Sequence, residues 1–226
     1  MFRICPYCGA RLDPGEICDC VERVRTKMPE LIFLEDTHQY LLPGAELPSV
    51  STLCAPLHAA SYKDVPKWQM EAAAERGTAV HLATVQLEQT GQAQTEESYA
   101  PYVRAYAAFL SEHEAVWSLT EQPLYHPELL FAGTPDRYGL LDGKATIVDI
   151  KTTYAVQKPL VRAQLNLYRL LLLAKGFPVE KLTVLHLKPD GTYKLVPVPM
   201  DEPLALSLIT VHNALPKRRK KGATHV

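Results

Sequence analysis

The sequence predicts an α/β sandwich, a mixed central β-sheet flanked by helices, with a small cysteine-bearing segment ahead of it. Three observations lead there. From Leu31 onward, helix-like and strand-like segments alternate. Two Asp-Gly pairs, Asp142-Gly143 and Asp190-Gly191, each separate two strand-like runs, which is a strong hairpin signal. Four of the five cysteines, Cys5, Cys8, Cys18 and Cys20, fall within the first 25 residues, where the composition differs from the rest.

The elements follow in order. Leu31 to Leu42 reads as a short hairpin or a pair of extended segments. Pro48-Ser49-Val50-Ser51 opens a short helix with a serine near its cap. Pro66 to Gln89 is rich in Ala, Glu and Gln and reads as one long helix, with Gly77 marking a kink or a close packing point. Glu96 to Trp117 is a second helix, with Thr95 as its cap and two glutamates in its first turn. Three strands follow, Thr120 to Tyr125, Leu129 to Tyr138 and Ala145 to Thr152. Gln157 to Lys175 is a helix with a dense apolar side, Leu165, Leu167 and Leu170 to Leu173. Leu182 to Lys188 and Tyr193 to Val198 form another hairpin, and Asp201 caps a last helix ending near Leu215. The organisation is a cysteine segment over 1–27, a core over 28–215 and a basic tail over 216–226.

Composition narrows the function classes. A chain of 226 residues is one ordinary domain with a small appendage. At that size it buries roughly 70% of its unfolded surface and needs no disulfides to stand alone. No apolar run approaches the roughly 20 residues of a membrane span. The start, MFRICPYCGA, lacks a charged region followed by an apolar one, so the expected compartment is the cytoplasm. The net charge of −1 argues neither for nor against a nucleic-acid partner. The local excess is the tail, Lys217-Arg218-Arg219-Lys220-Lys221, which reads equally well as a solvated terminus.

The chemistry concentrates in Gly133-Thr134-Pro135-Asp136-Arg137 and Val148-Asp149-Ile150-Lys151-Thr152-Thr153. Side chains alternate across a strand, so Asp149 and Lys151 share one face while Ile150 points to the core. The Asp142-Gly143 turn folds the strand of Asp136 back beside Asp149. Two carboxylates and an ammonium then converge at one edge of a sheet. A lone D-x-K is usually an exposed, salt-bridged face. The second aspartate on a paired strand is what sets this one apart. Such a group suits phosphodiester hydrolysis. Mg²⁺ takes one or two carboxylates plus phosphate and water, lowers the pKa of a bound water and neutralises developing charge. A lysine beside it orients the water or stabilises the oxyanion.

FAGTPDRYGLLDGKATIVDIKTT resembles the active-site hairpin of the PD-(D/E)XK nuclease superfamily, in its RecB-like, phage-type exonuclease branch. Pro135-Asp136 matches the first half of the motif and Asp149-Ile150-Lys151 the second. The resemblance implies a restriction-endonuclease-like core. It implies Mg²⁺ or Mn²⁺ held by Asp136, Asp149 and the Ile150 carbonyl, with Lys151 as the catalytic lysine. Gly77-Thr78-Ala79-Val80-His81 is similar to the helix that delivers a histidine ligand in that branch, so His81 joins the metal set. Gln164 and Tyr168 match its Q-x-x-x-Y motif and would hold substrate; read alone they are a polar stripe on an amphipathic helix. Glu121 stands where related phage exonucleases carry an acidic residue, and Glu88 reads as ordinary surface. His38-Gln39-Tyr40 and Leu47-Pro48-Ser49-Val50-Ser51 resemble the opening of phage-borne members.

Cys5-Pro6-Tyr7-Cys8-Gly9 is a zinc-knuckle sequence, and Cys18-Asp19-Cys20 supplies a second pair. Four thiolates in two close pairs fit a closed tetrahedral Zn²⁺ site, which can hold a peptide too short to own a core. A cytoplasmic chain disfavours disulfides. An iron–sulfur cluster, known in some RecB-like nucleases, would want a C-terminal cysteine cluster that this chain lacks. Cys54, among Leu53, Ala55 and Leu57, reads as a buried small hydrophobe. The expectation is a metal-dependent deoxyribonuclease, an exonuclease of DNA recombination or repair, with DNA as substrate and a recombination or helicase protein as partner. Its rivals are a structure-selective endonuclease on the same site, an RNA-directed enzyme and a non-catalytic binding module. The sequence assigns no oligomeric state.

Overall fold

The structure, a computed structural model, describes residues 3–4, 11–12 and 29–216. The chain divides into two compact units, Met1–Glu46 and Leu47–Val226. In the first, β1 (Arg3–Ile4) pairs antiparallel with β2 (Arg11–Leu12). Then β3 (Ile32–Leu34), β4 (Gln39–Leu42) and β5 (Ala45–Leu47) form a three-stranded sheet in that order, where the sequence predicts only the first pair. Phe33 stacks on Tyr40 across the β3–β4 ladder, ring centroids 4.7 Å apart.

The second unit is the predicted α/β sandwich. Its sheet runs β12-β11-β10-β9-β6, from β6 (Ala115–Thr120), β9 (Arg137–Leu141), β10 (Lys144–Lys151), β11 (Lys181–Leu187) and β12 (Tyr193–Val198). All neighbours are antiparallel except β10 and β11, which are parallel. A parallel pair needs a crossover, and α5 (Lys158–Ala174) supplies it. A separate small ladder joins β7 (Leu124–Tyr125) to β8 (Ala132–Gly133).

Apolar side chains alternate along the central strands and feed two cores. Ile147, Leu182 and Val184 face α1 (Val50–Leu53), α5 and α6 (Glu202–Ala214). Val148, Ile150, Leu185 and Leu187 face α3 (Lys67–Thr90) and α4 (Ala100–Glu112), packing on Val80, Tyr106 and Phe109. A helix α2 (Ala55–Ser61) follows α1 directly. Both faces of β10 are therefore covered, which explains its near-continuous burial from Ala145 to Ile150.

The predicted caps and turns mostly appear. The Ser49 side chain accepts from the Thr52 amide and the Asp201 side chain from that of Leu204. Asp142 and Gly143 both have positive φ, 50° and 73°, as a two-residue I′ hairpin requires. Other expectations are corrected. α3 runs unbroken through Gly77, where an added Cβ would meet nothing within 4 Å, so no close packing explains that glycine. Thr95 does not cap α4. That helix starts at Ala100 with Pro101 in its first turn, and Tyr99 takes the cap position. It also stops at Glu112, because His113 is extended, and Trp117 belongs to strand β6. The predicted strand over Leu129 to Tyr138 is two strands, β8 and β9, interrupted at Thr134–Asp136.

Candidate metal centre at the end of β10

The interruption before β9 builds the site. The β9–β10 ladder pairs Leu141 with Lys144 and ends at Arg137 with Val148. Continuing the register would set Ile150 opposite Pro135. Proline has no N–H to give, so the Ile150 carbonyl cannot be satisfied by the ladder. Its edge is taken by side chains instead. Asp136 Oδ2 accepts the Ile150 amide at 2.6 Å, and His81 Nε2 lies 3.1 Å from the Ile150 carbonyl oxygen. Asp136 itself is buried, and its backbone carbonyl accepts from the Glu121 amide (3.1 Å) and Arg137 Nη1 (2.8 Å).

His81 reaches this point from α3, on the opposite face of the sheet from Asp149. Its Nδ1 is 3.1 Å from Glu121 Oε1, and its Nε2 is 3.8 Å from Asp136 Oδ2. A carbonyl oxygen only accepts, and so does a carboxylate, so both ring nitrogens donate and the ring is an imidazolium. Burial alone would pull this histidine down. The Asp136 charge, and the Glu121 carboxylate bonded to the ring, more than offset that and hold it up, to about 9. Glu121 sits just past β6 in a positive-φ conformation, 46°, that turns it toward α3.

One ligand atom each from His81, Glu121 and Asp136 lies within 4.8 Å of the others. Two carboxylates, an imidazole and the adjacent Ile150 carbonyl form a hard, mostly oxygen donor set, which fits Mg²⁺ or Mn²⁺. With a cation at Nε2, that nitrogen would give up its proton, and Glu121 would then serve as the Nδ1 acceptor that fixes the ring instead of as a ligand, leaving Asp136 and the Ile150 carbonyl as the oxygen donors beside it. Asp149 stands outside this group of three. Its carboxylate is held by Lys151 Nζ, at 2.9 Å from Oδ1 and 2.7 Å from Oδ2, because alternation along β10 puts both on one face. Burial pushes Asp149 above the usual carboxylate range despite that lysine. Burial would lower Lys151, but Asp149 and Asp136 outweigh it, so the ammonium stays charged.

Behind the centre lies a fully buried arginine. Arg137 Nε donates to Glu88 Oε1 at 2.8 Å, Nη1 lies 3.4 Å from Glu121 Oε1, and Nη2 donates to Thr84 Oγ1 at 3.0 Å. Thr84 in turn donates to the His81 carbonyl at 2.7 Å, and the Tyr106 hydroxyl donates to Glu88. Glu88 is therefore not ordinary surface. Its partner is 49 positions away, beyond the reach of local pattern. Glu121 lies beside His81, and it stands just past β6 instead of opening the expected strand over Thr120 to Tyr125. The role of Arg137 leaves no local signal in the sequence beyond its place next to Asp136.

Gln164 and Tyr168 do share a face of α5, with Gln164 Nε2 3.3 Å from the Tyr168 hydroxyl. Tyr168 is in the core, and a Cβ on Gly133 would come within 2.9 Å of its ring. Cys54 is buried as expected, and burial pushes its thiol up to about 12. Cys5, Cys8, Cys18, Cys20 and the basic tail lie outside the described residues. Among the described residues no helix is long and apolar enough to cross a membrane.

No protein-family model matches the chain, and comparison with curated proteins returns no match. Among solved structures, the chain is similar to that of SSO0001 at 19% identity and a TM-score of 0.39, over 74% of this chain and 76% of that one. It is also similar to an alkaline exonuclease, LHK-Exo, from Laribacter hongkongensis, at 17% identity and a TM-score of 0.39, over 74% of this chain and 84% of that one.

Proposed function

We propose that this chain is a divalent-metal-dependent nuclease of the PD-(D/E)XK kind, hydrolysing DNA phosphodiesters from strand ends in recombination or repair. The observation that carries the reading is the convergence, where the β9–β10 ladder stops, of Asp136, the Ile150 carbonyl and His81 beside the Asp149–Lys151 pair. A structural ion pair would need none of the first three.

His81, Asp136, Asp149 and the Ile150 carbonyl would hold Mg²⁺ or Mn²⁺, with Glu121 on the far side of the imidazole. The bound cation would activate water and neutralise charge on the phosphoryl oxygens. Lys151, kept protonated, stabilises the oxyanion and orients the attacking water. Asp149 holds Lys151 in place. Gln164 lies at the substrate side of α5, while Tyr168 positions Gln164 and packs behind Gly133. The cysteine segment, with Zn²⁺, and the basic tail belong to the same proposal as accessory parts, in a cytoplasmic setting with a recombination or helicase partner.

Purified wild type and Asp149→Ala, each given end-labelled linear duplex, linear single strand and closed circular DNA with Mg²⁺, Mn²⁺ or EDTA, test it. Metal-dependent loss of linear DNA alone, absent in the variant, is the expected result. Cutting of the circle would make the protein an endonuclease. Binding without cleavage of any DNA would remove the enzyme reading.

A further inference from the structure

We infer that Arg76 is a substrate-binding residue that grips a phosphodiester of the bound strand neighbouring the one cleaved; this rests on the nuclease reading above. Arg76 lies on α3 five positions before His81, and its Nε is 3.4 Å from Thr152 Oγ1, the side chain directly after Lys151. Its guanidinium carbon stands 5.7 Å from the centroid of the Tyr102 ring, which supports one face of the fork. Among the described residues, these two contacts leave both terminal NH₂ groups without an acceptor, and no carboxylate lies within ion-pair distance.

That is unusual for its degree of burial. Among the described residues, the other two arginines that are not exposed, Arg137 and Arg169, are each ion-paired, to Glu88 and Glu202. A half-buried cation with no counter-ion is costly to desolvate, and a bound anion removes the cost. In the nuclease reading Lys151 is already engaged by Asp149 and by the phosphate being cleaved, so a second phosphate needs another cation. The planar fork of Arg76 matches two oxygens of one phosphate, and its place beside Thr152 sets that phosphate next to the one at Lys151.

Steady-state and single-turnover cleavage of a labelled single-stranded oligonucleotide by full-length wild type, Arg76→Gln and Arg76→Lys tests the assignment. Hydrogen bonds to a charged group predict a KM raised about 10- to 100-fold in Arg76→Gln, with the single-turnover rate at saturation kept. Arg76→Lys restores part of the loss. The slope of log affinity against log salt falls in Arg76→Gln by about one phosphate's worth. A series of oligonucleotides carrying one neutral methylphosphonate each gives the position: wild type is impaired at one site near the cut, and Arg76→Gln is indifferent there. Wild-type KM and salt slope in Arg76→Gln, with wild-type cleavage intact, would overturn the inference and leave the nuclease reading standing. A loss in Arg76→Gln with every methylphosphonate position still felt equally would show a structural role and overturn it too. If Arg76→Gln does not fold, the methylphosphonate series on Arg76→Lys decides. Wild type that neither binds nor cuts the oligonucleotide, whether single-stranded or annealed to its complement, would sink both readings.

Discussion

A single side chain, Arg137, ties the candidate centre to the core. It is fully buried, and its fork reaches Glu88 and Thr84 on α3 and Glu121 past β6. Removing one partner of a buried pair strands the other charge. Arg137→Met is therefore expected to lose about 3–5 kcal/mol of stability by urea denaturation, and the double change Arg137→Met, Glu88→Met to recover part of it. His81 gives a second prediction. In the metal-free protein its raised pKa, about 9, means that it holds a proton at neutral pH. A cation bound through Nε2 would have to displace that proton, so apparent Mn²⁺ affinity is expected to rise with pH up to about 9. Calorimetry in buffers of different ionisation enthalpy should read close to one proton released per ion at pH 7. No release would mean that His81 is already neutral there. The sequence shows the Asp136, Asp149, Lys151 and His81 positions because their motifs are short and local. It hides Glu88, whose environment is set by an arginine from a distant strand.

The hairpin of β9 and β10 is the element that aims the site. Its turn was legible, because Asp142-Gly143 permits the positive φ values that type I′ demands. Its far end was not. The stretch from Leu129 to Tyr138 has strand composition throughout, yet Pro135 stops the ladder and splits it. Pro135→Ala would return an N–H opposite the Ile150 carbonyl. That donor competes for the oxygen, so metal affinity should fall by roughly tenfold, the size of one hydrogen bond; unchanged Mn²⁺ affinity in a titration would show that the proline has no such effect. β6 departs from the helix expected over Glu96 to Trp117 for a related reason. Tyr102, Ala105, Tyr106 and Phe109 recur at helical spacing, and the switch to alternation at Ala115, Trp117 and Leu119 is too short to register against them. Once formed, β6 is fixed from outside its own sequence. A Cβ on Gly139 would stand 2.1 Å from the Val116 carbonyl oxygen, so only glycine lets the two strands close.

For the molecule as a whole, the layered architecture was readable because helix and strand periods alternate cleanly from Pro66 to Leu215, while the pairing of β10 with β11 depends on a crossover that no local pattern encodes. Among the described residues, both cores draw on Val50 to Ile209. A chain lacking residues 1–28 is accordingly expected to unfold cooperatively at a temperature near that of the full chain and to keep metal-dependent cleavage, while losing one equivalent of zinc by atomic absorption. Loss of the cooperative transition would assign the segment a part in the fold. The carbonyl at Ile150 has a different consequence at this scale. It is main chain, so every amino acid at position 150 carries it, and a complete substitution scan of the protein would register only the packing of the isoleucine. One contributor to the proposed centre is therefore genetically silent. It becomes visible only to synthesis, by exchanging the amide between Ile150 and Lys151 for an ester, whose weaker carbonyl should cost metal affinity while every side chain remains the same.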